Sequence, residues 1–160
     1  MTKKAPGSGD ELLADWFRRI REAQFAHYQS AKPLVRANYL LGVPVVALSA
    51  LVGTSIFATL QEQADVGIRI AVGIVSVLAA FLSGLQTFLR FSEGAEKHRG
   101  VATRYGALRR EIEMIQATNM TADPKKLDEV RERFDSISME APEISDATWK
   151  RTEAILKKRQ

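Results

Sequence analysis

The chain has 160 residues, a net charge of +4, a pI near 9.5 and no cysteine. Its length is typical of a single domain, and the lack of cysteine excludes disulfides and thiolate metal ligands. Basic residues alternate with acidic ones, so the excess of positive charge does not indicate a nucleic-acid-binding face. The mean hydropathy of −0.13 is that of a soluble protein, yet charged and apolar residues are strongly segregated.

The N-terminal arm begins with residues 1–9, which are rich in Lys, Pro, Gly and Ser and are therefore predicted to be disordered. Ser8 followed by Glu11 fits a capping box and predicts that a helix starts there. Residues 10–36 form a predicted amphipathic cytoplasmic helix, which packs on other helices or lies among lipid headgroups, and Pro33 predicts a break or kink. Its apolar positions recur at helical spacing: Leu13, Trp16, Phe17, Ile20, Ala23, His27 and Ala31.

Two stretches, residues 37–61 and 70–89, contain no charged residue. At ~1.5 Å per residue they form helices of about 37 and 30 Å, and a bilayer core is ~30 Å thick. The link between them, residues 62–69, is so short that the two predicted transmembrane helices must run antiparallel as a hairpin. The alternative is a soluble protein with two fully buried helices, but a chain of this size has too little additional protein to cover them.

The charges around the spans predict their orientation. The arm before the first span has a net charge of +3, the link −1 and residues 90–160 +2. Lys32 and Arg36 precede the first span, and Arg90 and Lys97 follow the second. By the positive-inside rule, both termini are expected in the cytoplasm and the link outside. No cleaved signal peptide is apparent, because the first apolar run begins only after residue 36.

The second span carries a stripe of small or polar residues at every third or fourth position. Two interpretations of this stripe stay open. Small residues let helices approach closely in lipid, which fits packing inside the hairpin, and the same residues would also suit the lining of a pore in an oligomer. The stripe consists of Gly73, Ser76, Ala80, Ser83, Gln86 and Thr87.

Residues 90–160 are predicted to form a cytoplasmic helical region. The helical pattern shows no break after the second span, so we expect one continuous helix that ends near residues 118–119. Its apolar residues have the alternating spacing of a coiled coil and form a candidate assembly seam. The seam consists of Phe91, Ala95, His98, Ala102, Tyr105, Leu108, Ile112 and Ile115.

Two further helices are predicted after the seam. Asp123 followed by Pro124 is typical of a helix start, and Pro142 predicts that this helix ends before it. A last helix is expected over residues 146–158. The predicted fold is therefore all-α, with a two-transmembrane hairpin and N- and C-terminal cytoplasmic helices packed as a bundle.

No catalytic or cofactor-binding motif is present in the sequence, and we expect neither an enzyme nor a cofactor or metal site. No nucleophile elbow and no glycine-rich phosphate loop is found. His27 and His98 are the only candidate ligands, and their offsets from the spans place them at a similar depth below the membrane. They are interpreted either as hydrogen-bonded core residues or as a pH-sensing or metal-binding pair. The spans carry no charge, which argues against coupled transport.

A family resemblance is carried by residues 39–57 and by residues 80–105 with the motifs Leu85-Gln86-Thr87-Phe88, Ala95-Glu96 and His98-Arg99, followed by Tyr105 and Glu111. These residues resemble the SLATT family, which comprises two-transmembrane effectors associated with SMODS nucleotidyltransferases and SLOG domains in bacterial conflict systems. The resemblance covers roughly residues 12–156.

The resemblance implies an effector of an anti-phage system that lies in the bacterial inner membrane, oligomerises in the lipid bilayer and forms a pore on activation. It implies a trigger from a nucleotide signal or from a nucleotidyltransferase or SLOG-type partner. The chain has no room for a sensor or synthase domain, so we expect that partner to be a separate protein. The alternative is a non-conducting membrane anchor or scaffold that recruits a cytoplasmic partner.

Overall fold

The computed structural model describes residues 7–59, 66–118 and 123–158. Its five helices are α1 (Gly9–Thr59), α2 (Val66–Leu89), α3 (Phe91–Ala117), α4 (Pro124–Glu140) and α5 (Asp146–Lys157). The described residues contain no strand, so the predicted all-α fold is confirmed. Residues 62–65 of the predicted link and residues 1–6 of the predicted disordered N-terminus lie outside the described residues, and residues 66–69 of the link belong to α2.

The chain divides into two compact units. One, here called the bundle, contains residues 1–32 and 95–160, and the other, the hairpin, contains residues 33–94.

Local capping residues begin the helices where the sequence predicts. The Glu11 N–H donates to Ser8 Oγ at 3.3 Å, and the Gly7 N–H donates to Glu11 Oε2 at 2.6 Å, which together form the capping box of α1. Asp123 caps α4, and Pro124 occupies its first turn. Both predicted helix starts are confirmed, because each depends on residues only a few positions apart.

The helix break that was considered at Pro33 does not occur. α1 continues as an α-helix through both Pro33 and Pro44. Each proline removes only one backbone N–H donor, and the flanking hydrogen bonds persist. Around Pro44, which lies in the uncharged stretch, an interrupted helix would leave several polar groups without partners, which favours continuation.

The prediction of one unbroken helix after the second span is wrong at a single residue. Arg90 separates α2 from α3 and has a φ of 46°, in the left-handed region. Backbone hydrogen bonds continue on both sides, from the Arg90 N–H to the Gln86 carbonyl at 3.3 Å and from the Gly94 N–H to the Arg90 carbonyl at 3.1 Å. A left-handed arginine is strained, because its Cβ approaches the backbone more closely than in a right-handed helix.

This strain predicts that two substitutions of Arg90 differ in their effect on stability. Both Arg90→Asn and Arg90→Val lose the exposed ion pair with Glu93, but asparagine tolerates a positive φ and the β-branched valine does not. We expect Arg90→Asn to keep wild-type stability and Arg90→Val to lose about 1–3 kcal/mol. Thermal unfolding in detergent micelles measures the difference. A valine variant as stable as the asparagine variant would contradict the strain.

The bundle has one apolar core, made by α1, α3 and α4. Trp16, Phe17 and Phe134 pack partly buried around it. The buried residues of the core are Leu13, Ile20, Val101, Tyr105, Leu108, Ile112, Ile115, Val130 and Ile137. Because the core residues recur mostly at three- and four-residue spacing along their helices, each helix presents one apolar stripe to the others.

The hairpin packs α1 against α2 in antiparallel fashion. A Cβ built on Gly42 would lie 3.0 Å from Gln86 Nε2, and one built on Gly94 would lie 3.3 Å from Leu34 Cδ1. The less exposed residues recur in heptad-like spacing on both helices. On α1 they include Leu34, Asn38, Leu41, Val45, Leu48 and Val52, and on α2 Val72, Val75, Ala79, Leu82 and Gln86.

The outer surface of the hairpin is apolar. Leu40, Val46, Val77 and Phe88 are each between 69% and 82% exposed. In the described part of the chain, two helices are long and apolar enough to cross a membrane, and almost none of their most apolar residues is buried. Exposed aliphatic and aromatic surface on this scale requires lipid or further protein around it.

Candidate functional site

Most of the small-residue stripe of α2 lies on its exposed surface. Gly73, Ala80, Ser83 and Thr87 are exposed, as is the neighbouring Gly84. Val72, Val75, Ala79 and Leu82 form the face toward α1 instead. At 100° per residue the exposed stripe lies to one side of that face. These exposed positions are not covered by α1, and both interpretations of the stripe, packing and pore lining, stay predictions.

Two members of the stripe do belong to the hairpin contact. Ser76 and Gln86 are half-buried, and the Gln86 amide lies against Gly42 of α1. A side chain at Gly42 would crowd the Gln86 amide, which would have to shift by a few tenths of an ångström. By contrast, a Cβ built on Gly73 or Gly84 meets nothing within 4 Å. Among the described residues, therefore, no neighbour requires a glycine at these two positions.

The hydroxyl groups of the stripe are satisfied by their own helix. Ser76 Oγ donates to the Val72 carbonyl at 2.8 Å, and Thr87 Oγ1 donates to the Ser83 carbonyl at 3.0 Å. Such bonds let hydroxylated residues face lipid without an unpaired donor. By rotation about χ1, the same hydroxyl groups can instead form hydrogen bonds with water or with a neighbouring helix.

An apolar cavity of about 520 Å³ opens beside Gln86 in the hairpin. Its polar members are the Asn38 and Gln86 side chains, and Tyr39, Val43 and Val46 form much of the remainder. Amide side chains accept and donate hydrogen bonds without carrying charge. The hairpin therefore has two uncharged amide side chains in an otherwise apolar groove.

The candidate assembly seam on α3 is covered by the chain itself. Seven of its eight members are buried, and Phe91 is half-buried. Tyr105, for example, packs against Phe134, and its hydroxyl lies 3.1 Å from Ser138 Oγ. The seam residues thus build the core, and their role in assembly between copies stays a prediction.

The two histidines meet inside the bundle. His27 on α1 and His98 on α3 are both buried, with their Nδ1 atoms 2.9 Å apart. One ring must donate its Nδ1–H and the other must accept at an unprotonated Nδ1, an arrangement that two neutral rings of opposite tautomer satisfy. Tyr105 stacks on His27 with ring centroids 5.8 Å apart. The sequence predicted that the two histidines lie at a similar depth, and in the structure their rings are in direct contact.

Burial controls the protonation of this pair. Desolvation, together with repulsion from His98, lowers the pKa of His27 from 6.5 to about 4. Burial also lowers the pKa of His98. Among the described residues, no group of three potential metal ligands is found. The geometry therefore fits a neutral hydrogen-bonded core pair.

Comparison with known families identifies the chain. The sequence model of the SMODS and SLOG-associating 2TM effector domain family 4 matches residues 11–160. The chain belongs to the SLATT family. The suspected resemblance is thus confirmed, and the two long apolar helices agree with the two membrane spans in the family's name. This SLATT protein is accordingly a two-span membrane protein of an effector family.

No curated protein and no solved structure matches the SLATT chain.

Sequence reasoning missed one group of residues in the bundle. Arg21, Gln24 and Tyr28 of α1 line a cavity of about 320 Å³ together with Arg109 of α3 and Leu156 of α5. The α1 members follow helical spacing, which assigns them to one face. Arg109 is distant in sequence and has no motif around it, so its place in the group required the structure.

Proposed function

We propose that this SLATT protein is a membrane effector that oligomerises through the exposed stripe of α2 and opens a path for water and ions. The proposal rests on the observation that Gly73, Ala80, Ser83 and Thr87 are not covered by α1. In the proposed setting, the hairpin spans the bacterial inner membrane with both termini in the cytoplasm. Opening the path would kill the infected cell and so limit phage growth.

Physical chemistry supports association of several copies. Two helices cannot enclose a water column, so a single hairpin cannot conduct. Hydrophobicity does not drive helices together in lipid, and small residues favour association because they permit close van der Waals contact. Ile74 and Phe81 on the other exposed surface of α2 suit contact with lipid tails. The stripe is the part of α2 best shaped for another copy.

A trigger is needed so that the effector is silent in healthy cells. A ligand or partner shifts a closed–open equilibrium only if it binds one state more tightly than the other. The family's name associates it with SMODS and SLOG domains. We expect a nucleotidyltransferase or SLOG-type protein, or the nucleotide that it makes, to supply this difference in binding.

A scaffold that never conducts is the second candidate. The observation that favours it is that Ser76 and Thr87 already donate to their own backbone and therefore do not require a wet lumen. In that case the stripe would only hold copies together, and the bundle would recruit a soluble partner.

Disulfide crosslinking tests the proposed oligomer surface directly. The chain has no cysteine, so each single-cysteine variant carries one thiol. We expect Ser83→Cys in native membranes to form disulfide-linked dimers on mild oxidation, because Ser83 would face its counterpart in a second copy. Ala79→Cys, which is 8% exposed and faces α1, should not.

Leu78→Cys controls for random collision. Leu78 is 50% exposed on the other side of α2. If Ser83→Cys crosslinks no more than Leu78→Cys, the stripe is not the surface through which copies associate.

A further inference from the structure

The bundle contains a cavity whose lining is unusual for a structural void. The cavity, of about 320 Å³, lies between α1, α3 and α5. This volume is at the lower end of small-molecule sites, which are roughly 300–1,000 Å³. Its lining residues are two arginines, one glutamine, two aromatic residues and one leucine, and none of them is acidic. It consists of Arg21, Gln24, Phe25, Tyr28, Arg109 and Leu156.

Arg109 has a donor that the described residues leave unsatisfied. Its Nε atom is shielded from solvent and makes no hydrogen bond within the described part of the chain. The Glu113 carboxylate forms an ion pair with this Nε at 3.6 Å, which is too far for a hydrogen bond. Because the Nε is shielded, a ligand in the cavity would meet the remainder of the Arg109 side chain, which is 32% exposed. The delocalised positive charge of that guanidinium attracts an anionic group.

Arg21 supplies a second positive charge to the same cavity. It is exposed on α1, and Gln24 lies one turn further along the same face. Two guanidinium groups that converge on one space match the oxygen atoms of a phosphate group, which accept paired hydrogen bonds. The amide of Gln24 can donate an additional hydrogen bond.

Aromatic rings form the other wall. Phe25 and Tyr28 line the cavity, and the Tyr28 ring is 40% exposed although it is large and mostly apolar. An exposed ring beside arginine side chains provides a surface on which a flat group can stack. The cavity thus combines a site for charge with a site for a planar body.

We propose that this cavity binds a small molecule that carries a phosphate monoester on a flat or apolar body. Arg21 and Arg109 bind the phosphate oxygens, Gln24 donates to one of them, and Phe25 and Tyr28 contact the body. The proposal concerns the bundle alone and does not depend on pore formation. A soluble mononucleotide and a lipid with a phosphate headgroup both have this chemistry, and the experiment separates them.

Calorimetry on the full chain in phosphatidylcholine nanodiscs tests the proposal with adenosine monophosphate and adenosine as probes. We expect saturable binding of adenosine monophosphate, and at least tenfold weaker binding of adenosine because it lacks the phosphate. A parallel arm measures thermal stabilisation in nanodiscs that contain phosphatidic acid. Stabilisation there without binding of adenosine monophosphate assigns the phosphate to a lipid and also supports the site.

Matched variants assign the binding to the cavity. Arg109→Gln should weaken binding of the effective probe at least tenfold, whereas Arg99→Gln, an exposed arginine on the same helix, should leave it unchanged. If Arg109→Gln does not fold, Arg21→Gln carries the test, because Arg21 is exposed and its replacement should leave the melting temperature unchanged. Equal binding of adenosine monophosphate and adenosine, equal effects of Arg21→Gln and Arg99→Gln, or no effect of any phosphate probe overturns the proposal.

Discussion

Replacement of Ser83 by leucine is expected to abolish membrane depolarisation by the overexpressed protein, with at least a tenfold loss of the fluorescence response of a potential-sensitive dye. Ser83 is exposed on α2, so leucine meets no side chain of its own hairpin. Leucine is favourable in a membrane helix, which keeps insertion intact. In the proposed oligomer, however, its bulk would separate neighbouring copies and fill the path between them.

A control on the same helix distinguishes loss of the stripe from a general effect of bulk. Leu78→Phe enlarges an exposed residue on the other side of α2 and should depolarise cells like the wild type. Dye release from liposomes, measured with both purified variants, removes cellular factors from the comparison. If the wild type neither depolarises cells nor releases dye when its nucleotidyltransferase or SLOG-type partner is also supplied, the scaffold is the better function. If Ser83→Leu retains wild-type release, the stripe does not line the path.

Acidification from pH 7.5 to 5 is expected to destabilise the bundle by about 2 kcal/mol through His27 alone. The pKa of His27 is about 4 in the folded chain against an ordinary value of 6.5. The unfolded chain therefore binds a proton first as the pH falls. Stability is complete above pH 6.5, decreases as the pH falls from 6.5 toward 4, and changes no further through this group below its folded pKa.

Tryptophan fluorescence measures this effect in the bundle, since Trp16 and Trp149 both lie in that unit. Thermal unfolding in nanodiscs at a series of pH values gives the slope for the wild type. The double variant His27→Leu/His98→Leu removes both titrating rings, and its stability should vary much less between pH 7.5 and 5. A wild-type slope no steeper than that of the double variant would refute the neutral pair.

The features that sequence predicted well are those decided locally. The Ser8 capping box and the Asp123-Pro124 helix start involve neighbours along the chain, and both are present. The long uncharged stretches predict two apolar helices from length alone, which the structure and the family agree with. The left-handed turn at Arg90 was missed, because no glycine, asparagine or proline marks it.

The features that sequence left open depend on which faces meet. Helical spacing shows that Ser83 and Thr87 share a face, but both a small and a large residue can face α1 in lipid, so the direction of the stripe was undetermined. Spacing likewise predicted the seam on α3 without identifying its partners, which are the chain's own α1 and α4. Arg21 and Arg109 converge through tertiary packing, which no local pattern reports.

The two sides of α2 follow the same repeat, and this has a consequence for the twist of an assembly. Toward α1, Val72 and Ala79 are seven residues apart, a period that imposes a left-handed supercoil. On the exposed side, Gly73, Ala80 and Thr87 are also seven residues apart. Adjacent copies that meet there are expected to cross in a left-handed sense, so each α2 would join two windings of the same hand.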